Sequence, residues 1–369
     1  MTREIEIVGA GPAGLSAALT VARAGRSVTL YERQADVGRR FHGDLQGLEN
    51  WTTPGDVLEE LAAMGIQPTF DYTPIREGVF YDFDGRECTV RSDRPAFYLV
   101  RRGTGAGTLD QSLKRQAIDA GVTIRFGHSP GELPAPCIRT PGPGRCDALD
   151  VGYVFETDMA DGVFAVLSEK LAPKGYAYLL VSGGWGTVAA CLFEDYGKAR
   201  EYRERTRRFF ERKAGLRMKN PRAFGGTGNV RARPLVRAGE TLYAGEAAGL
   251  QDALWGFGMR CALVSGHMAG EALLAKRPAQ YDHSFRRRFT GFLRTSVVNR
   301  YFYERMGDRG YARLLHAIAR AQDAREWLRR FYAPRLWKTL WFPVARIAVE
   351  AARRRAEVAP RVAPEPALR

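Results

Sequence analysis

The stretch EIEIVGAGPAGLSAALTVARAGRSVTLYER, residues 4–33, constrains the fold more than any other. Its apolar residues change from strand alternation to helix spacing and back, so it reads as strand, helix, strand. Gly9, Gly11 and Gly14 fall where the first strand gives way to the helix. In that context each glycine has a reason. Gly9 permits a tight turn, Gly11 lets backbone approach a pyrophosphate, and Gly14 lets the helix pack close to the strand. Pro12 and Ala13 open the helix, whose free N–H groups and positive end hold phosphate. The second strand ends on Glu32, with Arg33 beside it. A carboxylate there accepts hydrogen bonds from adenosine ribose hydroxyls and favours FAD or NAD over NADP.

A second glycine-rich stretch, AGEAAGLQDALWGFGMR (residues 244–260), favours FAD. It follows the strand-like TLYAG and precedes a helix expected over 259–274. Glu246, beside Gly245, would bond ribityl hydroxyls. Gly256 and Gly258, on either side of Phe257, would let the backbone run under a flavin ring. The helix opening at Met259 would aim its positive end at the flavin N1/O2 edge, where negative charge gathers on reduction.

The fold expected is α/β. A Rossmann-type FAD-binding domain, built on a parallel sheet, is interleaved with an antiparallel-sheet substrate domain. The expected FAD-binding segments are 1–65, 98–150 and 222–280. Short alternating runs assign 66–97 and 151–221 to the antiparallel sheet. A helical, basic region is expected over 281–357 and a disordered tail over 358–369. Helices are also expected over 55–65, 108–119 and 198–213. The 369 residues suffice for such a core, and no N-terminal signal sequence is evident, which reads as cytoplasmic. The five cysteines, Cys88, Cys137, Cys146, Cys191 and Cys261, form no C-x-x-C pair, and free thiols are expected. The five histidines have no metal spacing, so no metal is expected.

With these motifs in place, the sequence resembles the geranylgeranyl reductase family, within the flavoproteins shaped like p-hydroxybenzoate hydroxylase. The resemblance spans roughly residues 1–275. It is carried by IVGAGPAGLSAA…VTLYER, VGRR, LVRRG, GYAYLLVSGGWG and YAGEAAGLQDALWGFGMRCALVSGHMAG. It implies FAD as cofactor and places Arg39 or Arg40, and Arg101, near it. The chain also departs from the family pattern. Gly-Glu-Ala-Ala-Gly stands where Gly-Asp-Ala-Ala-Gly is common. The aromatic signature is reduced to Tyr176-Ala177-Tyr178 with Gly184-Trp185-Gly186. FHGD, with His42, follows the GR pair where some members carry a cysteine.

The resemblance implies hydride transfer from reduced flavin to a C=C bond of an isoprenoid or similar lipid. Tyr176, Trp185 and Trp255 are the candidate substrate contacts. His42, Tyr178 or water is the candidate proton donor, although His42 also reads as a plain surface histidine. RRGTGAGTLD (residues 101–110) lacks the acidic strand end of a second nucleotide fold. Electrons would therefore come from transiently bound NADPH or a ferredoxin-like donor. Two alternatives stay open: a flavin monooxygenase, and a non-enzymatic membrane-associated flavoprotein. Residues 283–369 hold 20 Lys/Arg against 7 Asp/Glu, so this end carries +13 of the net +15. Its aromatic, basic sequence fits peripheral membrane contact or packing on the body. No nucleic-acid motif accompanies the charge.

Overall fold

The computed structural model describes residues 4–358. The expected tail falls outside these residues except for Val358, which ends the last helix.

The N-terminal unit forms as read. Strand β1 (Ile5–Val8) leads into helix α1 (Pro12–Arg23), with Pro12 in the first turn, and β2 (Val28–Glu32) follows. Strand β3 (Leu45–Glu49) lies in the polar Gly/Arg segment, where no strand was expected. Helix α2 (Val57–Ala63) is capped by Asp56, whose side chain accepts from the Leu58 N–H. Strands β4 (Tyr72–Ile75), β5 (Glu77–Tyr81), β6 (Glu87–Arg91) and β7 (Phe97–Arg101) come next. Helix α3 (Leu109–Asp119), capped by Thr108, precedes β8 (Thr123–Phe126) and β9 (Cys137–Arg139).

The second sheet is made largely by β10 (Ala148–Glu156), β11 (Gly162–Val166), β12 (Tyr176–Ser182) and β13 (Trp185–Leu192). Helix α4 (Ala199–Ala214) stops at Gly215, which takes the left-handed conformation that favours glycine. Strand β14 (Lys219–Gly228) returns to the same sheet. The hairpin β15 (Arg237–Ala238) and β16 (Thr241–Tyr243) then leads to α5 (Met259–Leu274). The rest is helical: α6 (Pro278–Ala319), broken at Gly307, then α7 (Ala324–Phe331) and α8 (Leu336–Val358).

These strands build three sheets. The first has the order β15-β16-β9-β1-β2-β8 and is parallel except for the β15–β16 hairpin. The second runs β14-β10-β13-β12-β11-β5-β6 and is antiparallel except where β5 pairs in parallel with β11. A small antiparallel sheet, β3-β7-β4, joins them. Residues 72–75 pair in the small sheet, whereas β5 and β6 join the second sheet, whose remaining strands span Ala148 to Gly228. The glycines of FGGTG are poor strand formers, although their backbone pairs in register with β10.

Helix α5 packs across α1 at backbone distance. A Cβ on Gly266 would lie 2.0 Å from the Ala13 carbonyl oxygen. The α5 serine Ser265 accepts from the Gly245 N–H at 2.9 Å, which ties the second glycine-rich turn to the same helix. The two glycine-rich segments, more than 200 residues apart in sequence, thus share one place.

Candidate active site

The N-terminal ends of α1 and α5 both line a cavity of about 590 Å³ between the parallel sheet and one face of the antiparallel sheet. This volume falls within the range of small-molecule and cofactor sites. Its wall differs from end to end, and the difference follows from the sequence.

At one end the wall is glycine, backbone and charge. Gly9 sits at φ +99°, and a Cβ there would come within 2.6 Å of the Thr140 carbonyl oxygen. A Cβ on Gly14 would lie 1.8 Å from the Gly9 oxygen, so only glycine lets the helix pack this close. Gly11 differs, because a Cβ there meets nothing within 4 Å. Its open side is on the cavity, so glycine keeps that space clear. Glu32 accepts from the Ala10 and Gln34 N–H groups, each at 2.9 Å, and thereby braces the turn as well as lining the cavity. Arg33 and Arg39 line the same end, exposed to solvent.

Glu246 sits farther in. Its Oε2 accepts from Arg40 at 2.6 Å, while its Oε1 is buried with no partner. Arg40 also donates to the Thr227 carbonyl oxygen. An orphaned carboxylate oxygen at a cavity wall fits a ligand rich in hydroxyl groups. Gly256, Phe257, Gly258 and Met259 follow along the wall. Gly256 takes φ +76°, and no side chain caps α5, so its first N–H groups are free to face a ligand. Phe257 packs edge-on to Trp51 at 4.6 Å, beside Gly47, where a Cβ would lie 2.4 Å from the Phe257 ring. Paired helix N-termini, an open-sided glycine and the unpartnered Glu246 oxygen together fit a dinucleotide carrying a ribityl chain, as FAD does.

Buried charges hold this end rigid. Arg102 bonds both carboxylate oxygens of Asp110, at 2.9 and 2.8 Å, and its guanidinium lies 4.0 Å over the Phe41 ring. Asp252, fully buried, accepts from the Leu254 and Trp255 N–H groups and from the Ser296 and Tyr332 hydroxyls. It ties the glycine-rich loop to α6 and to the end of α7. Arg325 of α7 donates to the carbonyl oxygens of Asn50, Thr53, Pro54 and Gly55. The C-terminal helices are thus fastened to both loops at this end of the site.

At the other end the wall is the antiparallel sheet. Strand residues alternate between faces. Phe155, Val166, Leu179 and Val188 turn to a core with Phe210 of α4. Tyr176, Tyr178, Leu180, Val163 and Ala165 line the cavity. Tyr176 donates to the Trp255 carbonyl oxygen at 2.5 Å, which joins the sheet to the α5 loop. Apolar lining continues through Phe80, Val90 and Phe97 to Leu315 and Ile318 of α6 and Leu328 of α7.

One polar cluster interrupts this wall. Asp150 is half-buried, accepts from the Tyr178 hydroxyl at 2.5 Å, and leaves its solvent-shielded Oδ1 without a partner. Burial raises its pKa from 3.8 to about 7. The Tyr178 hydrogen bond opposes the rise, and the charge of Asp44 adds to it. Asp44 is itself raised by burial, although it accepts from the His42 N–H at 2.9 Å and the Gln46 amide at 2.7 Å. Tyr178, raised far above 10 chiefly by burial, keeps its proton. Cys191 lies opposite both Asp150 and Tyr176 in the sheet, and burial raises its thiol.

The expected residues gather here with a few exceptions. Gly9, Gly11, Pro12, Ala13, Glu32, Arg33, Arg39, Arg40, His42, Tyr176, Tyr178, Glu246, Trp255, Gly256, Phe257, Gly258 and Met259 line the cavity. Gly14 and Gly245 pack behind it; a Cβ on Gly245 would lie 2.8 Å from that of Ala13. His42 is exposed at the wall, with its ring 6.0 Å from Phe224. Arg101 and Trp185 do not line the cavity. Their side chains stack on each other, the Arg101 guanidinium 4.8 Å from the Trp185 ring. Neighbouring residues on an extended chain point opposite ways, so Arg102 takes the inward place expected of Arg101. Sequence reasoning also missed Asp44, Asp150 and Asp252. A signal existed for Asp150. It sits in ALDVGYVF at an inward position, between Ala148 and Gly152, where an acid is out of place unless it is used.

Comparison with known proteins agrees with this architecture. A family model described as NAD(P)-binding Rossmann-like domain matches residues 7–74. The structure is similar to that of a geranylgeranyl bacteriochlorophyll reductase-like protein from Thermoplasma acidophilum. The TM-score is 0.68 at 16% identity, over 95% of this chain and 98% of that one. A flavin-dependent brominase matches with TM-score 0.63 at 15% identity, over 96% of this chain and all (100%) of its own. The chain has the fold of FAD-dependent oxidoreductases. In sequence it is similar to the digeranylgeranylglycerophospholipid reductase of Methanocaldococcus jannaschii. The two are 21% identical over 387 residues, which cover 87% of this chain and 91% of the relative. FAD-binding folds of this kind place the cofactor at the first glycine-rich turn, and here that turn opens on the cavity.

Proposed function

We propose that the chain is an FAD-dependent reductase that adds hydrogen across a C=C bond of an isoprenoid or similar lipid chain. The observation that carries this reading is the two-part cavity. A nucleotide-suited end runs without interruption into a mostly apolar one, with the Asp150–Tyr178 pair on the wall. The reductase names of the similar proteins support the substrate class.

FAD, when bound, would supply the hydride chemistry. The chain's own work is then binding, orientation and proton supply. Glu246 and the α5 N-terminus would hold the ribityl and flavin side, and the α1 N-terminus the pyrophosphate. Tyr176, Leu180 and Trp255 exclude water and leave an apolar path for the chain. Reduction of a C=C bond takes one hydride on one carbon and one proton on the other. The Asp150–Tyr178 pair holds such a proton near neutral pH, where an ordinary carboxylate has lost it. His42 lies on the solvent-exposed part of the cavity wall.

The monooxygenase alternative finds less support. Flavin monooxygenases of this shape commonly carry a mid-chain Asp-Gly pair followed by a helix; here Asp161-Gly162 leads into strand β11, and Asp161 accepts from the Gly183 N–H, outside the cavity lining.

The test begins with purification. Flavin absorbance should co-purify or be restored by added FAD. Under anaerobic conditions, reduced protein mixed with a geranylgeranyl lipid should yield a product two hydrogens heavier per double bond. NADPH and a reduced ferredoxin would be compared as donors. A protein that stays colourless with FAD sinks the cofactor assignment. Oxygen uptake coupled to a hydroxylated or halogenated product would establish the alternative.

A further inference from the structure

The two sides of α8 are both apolar in part, but only one is covered. On the inner side, Ala345 and Val349 are buried and Phe342 is half-buried against the cluster that holds Val297 and Val298 of α6. On the outer side, Leu336, Leu340 and Ile347 are 77%, 70% and 62% exposed. Trp337, Trp341 and Val344 join them at 45%, 42% and 47%, the two indoles each resting on Phe302 of α6 and leaving the rest of the ring to solvent. The spacing of three, four and seven residues places them along one stripe. Of the ten large hydrophobic residues exposed among the described residues, these six fall within twelve positions. Scattered exposed hydrophobics need no explanation, but a continuous stripe does.

Charge selects the occupant. Residues 335–358 hold six Lys/Arg against two Asp/Glu, a net of +4. They lie in the part of the chain that carries nearly all the excess positive charge, since residues 1–282 contribute only +2. A second copy of the same helix would bring like charges together. A bilayer surface with anionic headgroups offers the opposite charge and an apolar interior at once. Tryptophan suits the headgroup depth, being apolar in body with one polar N–H. Among the described residues no helix is long and apolar enough to cross a membrane, so α8 would lie in the plane of the interface.

We propose that the outer face of α8 docks this protein on anionic bilayer surfaces. Leu336, Leu340, Val344 and Ile347 enter the acyl boundary, Trp337 and Trp341 sit at headgroup level, and the exposed Arg335 faces the phosphates. The inference rests on this surface alone and stands whether or not the catalytic reading holds.

The experiment is flotation of the full-length protein with vesicles of phosphatidylcholine alone or mixed with phosphatidylglycerol. The protein should float with the mixed vesicles. It should bind pure phosphatidylcholine, or mixed vesicles at high salt, about tenfold less. Changing Leu336, Leu340 and Ile347 together to Ser should reduce binding by about tenfold or more, with thermal midpoint and flavin content unchanged. A second readout needs no variant: lipids brominated on their acyl chains should quench tryptophan fluorescence of the wild type. Absence of binding to the mixed vesicles overturns the proposal, as does full binding by the triple variant. So does light scattering showing a wild-type dimer that the triple variant dissolves while no vesicle binds.

Discussion

Asp150→Asn is the most informative single change. In the folded chain, the Asp150 carboxyl binds its proton more tightly than an unfolded aspartate does, with pKa about 7 against 3.8. That difference of roughly 3 units corresponds to about 4 kcal/mol. The sign follows from linkage: the contribution favours the fold fully below the unfolded pKa and is lost as pH rises through the folded one. Asparagine keeps the size and can still accept from Tyr178, but it carries no titrating proton. The stability of wild type relative to the variant should therefore fall between about pH 4 and about pH 7, by an amount approaching that figure. Catalysis adds a second readout. Anaerobic single-turnover mixing of reduced protein with lipid substrate, followed by flavin absorbance, gives the rate across the same range. The wild-type rate should decline above about pH 7 as the proton is lost, and the variant should be slower by about 10²–10⁴ with that decline abolished. Tyr178→Phe should move the decline to higher pH, because the Tyr178 hydrogen bond lowers the Asp150 pKa. Asp44→Asn should move it lower, because the Asp44 charge raises it. A variant lacking Asp150 that keeps both the wild-type rate and its alkaline decline would refute the assignment. Shifts in the reverse directions for the two neighbours would do the same.

Other outcomes follow from the geometry. Gly11→Ala should leave the urea midpoint nearly unchanged, since its Cβ meets nothing within 4 Å, yet weaken FAD retention measured by equilibrium dialysis. Gly14→Ala, whose Cβ would lie 1.8 Å from the Gly9 oxygen, should instead destabilise the fold by about 1–3 kcal/mol. Glu246→Gln breaks a half-exposed ion pair with Arg40, so stability should change by no more than about 1 kcal/mol while FAD affinity falls. Asp252→Ala removes the acceptor for four donors in the buried end of the site; urea unfolding should show a loss on the order of 3 kcal/mol or more. Hydrogen exchange in residues 250–258 should quicken in that variant.

What could be read from the sequence divides along a physical line. The two glycine-rich segments were legible because their chemistry is carried by backbone. A glycine at a strand end announces close approach wherever the rest of the chain lies, and α5 was placed at 259–274, where it is found. The same logic failed for FGGTG. Its glycines continue β14, and their pairing with β10 depends on a partner about 75 residues away that no local pattern discloses. Side-chain direction was the second limit. Arg101 and Arg102 are adjacent and chemically alike, and only the register of β7 with β3 and β4 decides which one faces the cavity. The same sheet geometry separates Tyr176 and Tyr178, which face the site, from Trp185, which stacks outside it with Arg101.

Burial was the third limit, and it bears most on function. Asp150 is one acid among 41 acidic residues in the sequence, marked only by its place among the apolar and small residues of ALDVGYVF. Its altered proton affinity comes from desolvation, which is a property of the assembled sheet and not of the local sequence. His42 shows the converse. Its neighbourhood in sequence suggested a proton donor, yet the fold leaves it exposed to solvent. A residue suited to proton transfer by type is common; one whose surroundings hold its proton at neutral pH is not. Where the two criteria disagree, the environment is the better guide, because the rate depends on the protonated fraction at the site. By that criterion Asp150, paired with Tyr178, is the proton source we propose, and the pH profile, more than the identity of any single variant, is the measurement that decides it.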